Sequence, residues 1–125
     1  MKNKALTVLS VDLNSYKTHP PLLVISASAE MAHGGYLRAY LVPYVYITPP
    51  IDGIWDFDFV GEYPDNGVRT DVITIAIAEP FLWKDYPRGV RGIRIHGSLN
   101  KLTRLISQKS EVLFSVDGGD LPRGI

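Results

Sequence analysis

Four polar residues that can move protons or hold an anion occupy alternating positions in two apolar segments. Asp56 and Asp58 alternate with aromatic residues, and Arg94 and His96 alternate with isoleucines. Because successive side chains of a β-strand point to opposite faces, each polar pair shares one face of its strand. Where the two faces meet, a carboxylate, an imidazole and a guanidinium converge, as an acid–base site requires. The spacing is compatible with a small hydrolase or lyase in which His96 and an aspartate form the acid–base pair and Arg94 binds an anion.

A second group of candidates consists of tyrosines. Tyr40, Tyr44 and Tyr46 fall on one face of a strand-like segment, together with Arg38. A tyrosine offers a flat apolar ring with a polar tip, which suits a protein partner or a sugar ring. The alternative is that the core or a neighbouring loop covers these rings, since tyrosine is common in strands.

Three residues in turns could extend the tyrosine surface. Trp83 and Tyr86 lie in one aromatic loop, and His33 precedes two glycines. The two aromatic residues could equally plug one end of the fold. From these residues we predict a non-enzymatic binding or protein-interaction module, with the hydrolase or lyase as the alternative. The expected partner is another protein or a second copy in a homodimer, and a small carbohydrate is also compatible with the tyrosines.

The composition excludes several classes of protein. The chain has no cysteine, which removes disulfide frameworks, zinc–thiolate sites and cysteine nucleophiles. Its 13 lysines and arginines balance 13 acidic residues, so neither nucleic acid nor an anionic membrane is an expected partner. The aspartates between residues 52 and 65 do not match a calcium-binding loop. We therefore predict no metal and no cofactor.

Charge is segregated along the chain. Residues 51–80 contain seven acidic residues and one arginine, whereas residues 81–110 contain seven basic residues and one aspartate. Either neighbouring strands pair these charges across a solvated face, or the two regions form a bipolar surface that docks a second copy.

The elements that must position these residues are strands. Glycine and proline clusters separate seven runs rich in β-branched and aromatic residues, which predict an all-β single domain over residues 1–125, an antiparallel β-sandwich of about seven strands with immunoglobulin-like architecture. The predicted strands cover residues 4–13, 22–30, 37–48, 54–62, 69–79, 90–97 and 111–116. Residues 99–106 fit either a short helix or a strand.

Alternation also predicts where some strands lie. The aromatic residues of segment 54–59 should face the core. The isoleucines of segment 71–78 predict a central strand, since so uncharged a run is an aggregation hazard at an edge. Pro43 cannot donate a ladder hydrogen bond, which predicts an edge or a bulge in its strand.

The first apolar run, residues 5–11, is too short for a signal peptide or a membrane span, so a soluble cytoplasmic protein is expected. Segments 45–59 and 92–96 resemble stretches of small bacterial proteins, but the resemblance identifies no family and carries no functional residue.

Overall fold

The structure is a computed structural model that describes residues 1–67 and 69–106. The described elements are nine strands: β1 (Lys2–Lys4), β2 (Thr7–Tyr16), β3 (Leu22–Met31), β4 (Arg38–Pro43), β5 (Ile54–Glu62), β6 (Thr74–Ile77), β7 (Phe81–Lys84), β8 (Gly92–His96) and β9 (Lys101–Leu105). The strand predicted at residues 111–116 lies outside the described residues.

The strands form two sheets packed face to face, which confirms the all-β sandwich. In the first sheet, β4 pairs with one edge of β5. On the opposite edge, β8 pairs with the first half of β5 and β1 with its last residues. Strand β9 pairs with the outer edge of β8. In the second sheet, β2 pairs with one edge of β3, and β6 and β7 share the other. The β5–β8 pair is parallel, so the first sheet is mixed where an antiparallel one was predicted. The immunoglobulin-like architecture stays a prediction.

The interior is aromatic at one end and rich in alanine at the other. Phe57 and Phe59 of β5 are fully buried, as predicted from their alternation with aspartates. Trp55 continues the same face and packs edge to face against Trp83 of β7. Small residues such as Ala76 line the part of the interior that lies against β6.

The position of β6 contradicts the prediction of a central strand. Within the described residues β6 pairs only with β3, and Ile73, Ile75 and Ile77 point outward. Ala76 and Ala78, on the alternate face, are buried. Where both faces of a strand are uncharged, alternation cannot tell the inner face from the outer one, and here the smaller side chains are the ones that the interior accommodates.

Pro43 is the last residue of β4, which is an edge strand, as predicted. The N–H of Tyr44 donates to the carbonyl of Asp56, which makes Pro43 and Phe57 a non-hydrogen-bonded pair. The imide nitrogen of Pro43 therefore points away from β5, and its missing N–H costs no ladder hydrogen bond.

Residues Lys101–Leu105 of the ambiguous segment 99–106 form strand β9, so the helix alternative is wrong for these residues. β9 reaches across to β2 and closes one side of the sandwich: the Asn100 side chain accepts from the N–H of Val8 and donates to its carbonyl, and Arg104 donates to the carbonyl of Val11. Within the described ranges, no helix is long and apolar enough to cross a membrane.

Candidate functional site

The parallel pairing of β5 with β8 creates the polar cluster that the sequence hypothesis required. Its register sets Asp56 beside Arg94 and Asp58 beside His96, all on the outer face of the first sheet. Ile93 and Ile95 occupy the inner face of β8 and are fully buried. Burial of the isoleucines therefore fixes the orientation of β8. Because side chains alternate along a strand, Arg94 and His96 lie on the outer face.

Asp56 is the centre of this cluster. Its Oδ1 lies 2.7 Å from Nε2 of His96 and 3.2 Å from Nη1 of Arg94. Its Oδ2 accepts a 2.6 Å hydrogen bond from the hydroxyl of Tyr46. Burial alone would raise the pKa of Asp56, but the hydrogen bonds from His96 and Tyr46 and the charge of Arg94 hold that pKa below its ordinary value. The carboxylate stays ionised, so Nε2 of His96 is a donor.

Two tyrosines anchor the chain beyond β4 to the carboxylates of β5. The Tyr46 hydroxyl also accepts a 3.0 Å hydrogen bond from the backbone N–H of Asp56. The Tyr44 hydroxyl donates to Oδ1 of Asp58 at 2.9 Å, and its ring stacks on His96 with centroids 5.2 Å apart. Burial, followed by the contact with Asp58, raises the pKa of Tyr44 to about 12. Burial and the bond to Asp56 also raise the pKa of Tyr46.

Opposite charges in the cluster pair within the chain. Besides Asp56, Arg94 approaches Asp52 at 3.7 Å, and Lys4 on β1 lies 3.3 Å from Oδ1 of Asp58. The acidic strand β5 thus lies beside a basic strand, which is the first of the two arrangements expected from the charge pattern. Asp56, Asp58 and Arg94 are therefore paired within the chain.

The cluster meets only part of what an acid–base site needs. The Asp56 carboxylate holds the His96 ring in place through Nε2. The other ring nitrogen, Nδ1, makes no described contact, so it is the nitrogen that could exchange a proton with a substrate. The nearby cleft, however, has a volume of about 140 Å³. That is below the roughly 300 Å³ at which small-molecule pockets begin. It is lined by Pro43, Tyr44, Trp55, Asp56, Phe57, Phe81 and Trp83.

The predicted binding residues Trp83 and Tyr86 turn inward. The Trp83 ring contacts Trp55 at 5.3 Å and Phe57 at 6.1 Å between centroids, and Tyr86 lies 6.3 Å from Trp83. These residues pack against the core at one end of the sandwich, as the alternative prediction for this loop states.

The remaining candidates lie apart from the centre of the cluster. Arg38 makes a two-point contact with Glu79, at 2.6 and 3.1 Å, and its guanidinium lies 4.6 Å from the centroid of the Tyr40 ring on the same outer face. His33 has different neighbours, with its Nδ1 3.2 Å from the Thr70 carbonyl and 3.2 Å from Oδ1 of Asp71.

The residues that sequence reasoning missed are aliphatic. Val45, Ile47 and Ile51, in the loop between β4 and β5, are essentially fully exposed. The β-branched side chains of Val45 and Ile47 favour a strand, which is why the predicted strand extends to residue 48. The prolines at 43 and at 49–50 could have predicted this loop. A proline cannot donate a ladder hydrogen bond, so the apolar residues between these two sites are not expected to continue a strand.

The fold and the site together define an all-β sandwich with a polar cluster on one outer face and an aliphatic loop beside it. Among the described residues, no group of three or more histidines and acidic residues is arranged to hold a metal ion. No protein-family model, no curated protein and no solved structure matches this chain.

Proposed function

We propose that this chain is a non-enzymatic protein-interaction module whose binding surface is the aliphatic loop, residues 44–53. The observation that carries the proposal is the complete exposure of Val45, Ile47 and Ile51 in one loop. Single exposed aliphatic residues are ordinary, but several together on a short segment are typical of a surface that another molecule covers.

Hydrogen bonds to strand β5 hold the loop in place. Tyr44 and Tyr46 alternate with Val45 and Ile47, and both tyrosine hydroxyls are bound to carboxylates of β5. A segment held in one conformation before binding loses less entropy when the partner arrives, so more of the contact energy remains as affinity. In this proposal the polar cluster is a brace for the loop.

The surroundings favour a protein partner over the alternatives. Asp52 lies within the loop with its carboxylate more than half exposed, and this charge would repel anionic lipid headgroups. A sugar needs an open aromatic face, but one face of Tyr44 is covered by His96 and its hydroxyl is engaged. Aliphatic side chains fit the apolar groove of a protein, where each fully buried one contributes roughly 1.5–3 kcal/mol before the costs of association.

A random peptide library selected on the immobilised full chain tests the proposal. Peptides enriched on the wild type should bind the double variant V45S/I47S at least about tenfold more weakly, since two apolar contacts are lost. The matched control is L99S, which removes an aliphatic residue that is 73% exposed from a different turn and should leave binding unchanged. Failure to enrich any peptide, or equal binding to wild type and V45S/I47S, would refute the proposal.

The 2.7 Å contact between His96 and Asp56 supports a second candidate function, the small hydrolase or lyase. A panel of chromogenic ester, phosphoester and elimination substrates tests it directly. Turnover that H96Q abolishes and Y40F preserves would establish the enzyme and displace the binding module. Absence of turnover, or turnover that H96Q leaves intact, would remove this candidate.

A further inference from the structure

The outer face of the second sheet carries a column of exposed aliphatic side chains. β6 and β7 follow each other along one edge of β3, and Ile75, Ile77 and Leu82 point outward from them. They are 63%, 77% and 62% exposed. Residues 72–78 contain no charge, and a cluster of exposed aliphatic side chains of this kind is typical of a surface that another molecule covers.

Opposite charges lie at the two ends of this column. Along β3, Leu22 pairs with Lys84, Val24 with Leu82, Ser28 with Ile77, and Glu30 with Ile75. Paired residues of antiparallel strands share a face, so Lys84 is at one end of the column and Glu30 is beside the other end. Neither residue makes an ion pair in the described part of the chain.

We propose that a second copy of this chain covers the column in a symmetric homodimer. The two-fold axis lies in the interface, perpendicular to the strands, and passes between Ile77 and Leu82. It brings Leu82 of one protomer opposite Ile77 of the partner subunit, and Lys84 opposite the end that carries Glu30 of the partner subunit. A surface with an apolar middle and opposite charges at its ends is complementary to itself under this rotation.

The charges of the whole chain permit this association. The formal net charge is zero, so no long-range repulsion opposes a second copy. Asp12 on β2 also faces outward and lies opposite Ser26, level with the axis, so the rotation sets Asp12 opposite its own copy. It is two strands, roughly 10 Å, from the column. The proposed contact is therefore confined to β6, β7 and the adjoining edge of β3.

Sedimentation equilibrium of the full chain between about 1 μM and about 1 mM tests the dimer, a range that spans moderate to weak dissociation constants. The wild type should associate to a dimer and no further. I75S/I77S should raise the dissociation constant at least about tenfold, because these side chains are buried in both copies. L99S, an exposed aliphatic residue elsewhere, is the control for general loss of apolar surface.

Charge reversal provides a second measurement that does not depend on apolar contacts. K84E and E30K should each weaken the dimer, and the double variant K84E/E30K should restore it. Within one chain these side chains are eight strand positions apart, roughly 26 Å, so only a contact between copies explains the rescue. A strictly monomeric wild type, a dimer indifferent to I75S/I77S, or the absence of rescue would overturn the proposal.

The tests of the dimer and of the proposed function are independent of each other. V45S/I47S alters the aliphatic loop on the other sheet and should leave the dissociation constant of the dimer unchanged. Circular dichroism of each variant checks that the fold is retained, and all of these substitutions lie at partly or fully exposed positions.

Discussion

His96 reaches diagonally to Asp56 across a parallel strand pair, although its register neighbour is Asp58. The reason lies in Tyr44, which covers the His96 ring and uses its own hydroxyl to occupy Asp58. The two aspartates are therefore not equivalent, despite their identical spacing in the sequence. Asp56 collects His96, Arg94 and Tyr46, whereas Asp58 binds Tyr44 and Lys4.

Asp56 should make the stability of the fold depend on pH. Its pKa is lowered in the folded state, so its contribution is complete above the ordinary carboxyl pKa, near about 4, and is lost as the pH falls through the lower folded value. We expect D56N to reduce the free energy of unfolding by about 1–3 kcal/mol near neutral pH. Urea unfolding at about pH 7, 5 and 3 should show this difference shrinking on the acid side.

The matched control for D56N is D12N, on the exposed face of the other sheet. It should change the free energy of unfolding by less than about 0.5 kcal/mol. A difference between wild type and D56N that is the same at every pH would contradict the ion-pair account.

The Tyr46 hydroxyl should be worth more than that of Tyr40. Y46F removes the donor to Asp56 Oδ2 and leaves the partly buried N–H of Asp56 without its acceptor, at a cost of about 1–3 kcal/mol. The Tyr40 hydroxyl has no described hydrogen bond, so Y40F should stay within about 0.5 kcal/mol of the wild type. Equal effects of the two variants in denaturant unfolding would show that the Tyr46 anchor is not structural.

Two glycines with similar backbone angles should tolerate alanine differently. Gly53 has φ of 74° and Gly67 has φ of 77°, so alanine costs about 1–2 kcal/mol at either through the left-handed conformation. A Cβ at Gly53 would also lie 2.7 Å from the Gly89 carbonyl oxygen, whereas at Gly67 it would meet no described atom within 4 Å. G53A should therefore lower the thermal midpoint clearly more than G67A, and equal losses would contradict the close approach at Gly53.

Trp83 should contribute to stability as a core residue. It is partly buried and contacts Trp55 and Phe57, so W83A should cost about 2–3 kcal/mol, less than the loss of a fully buried aromatic side chain. L99A, at an exposed turn, should cost less than about 0.5 kcal/mol. An unfolding free energy unchanged in W83A would show that Trp83 is a surface residue after all.

Alternation predicted the faces of β5 and β8 because each strand has one apolar and one charged side. Burying Phe57 leaves Asp56 outside, and burying Ile95 leaves His96 outside. The same rule failed for β6, where both sides are uncharged. The parallel register that joins Asp56 to Arg94 was also beyond prediction, because pairing between distant strands depends on the packing of both whole sheets.

The loop after Pro43 shows a different limit of sequence reasoning. Val45 and Ile47 have the composition of a strand, and nothing local distinguishes them from core residues. Their exposure follows from the end of the β4 ladder and from the tyrosine anchors to β5, which are contacts between separate elements.

The parallel pairing of β5 and β8 makes folding depend on contacts between residues that are far apart in the sequence. β8 and β9 form a hairpin with a short turn, but they join the first sheet only when Gly92 reaches Ile54, far upstream. Strand β1 likewise pairs with a distant part of the chain, since Asn3 is opposite Gly61 of β5. The second sheet needs closures of the same kind, since Leu22 lies opposite Lys84. Such long-range closures slow folding, so milliseconds to seconds are expected.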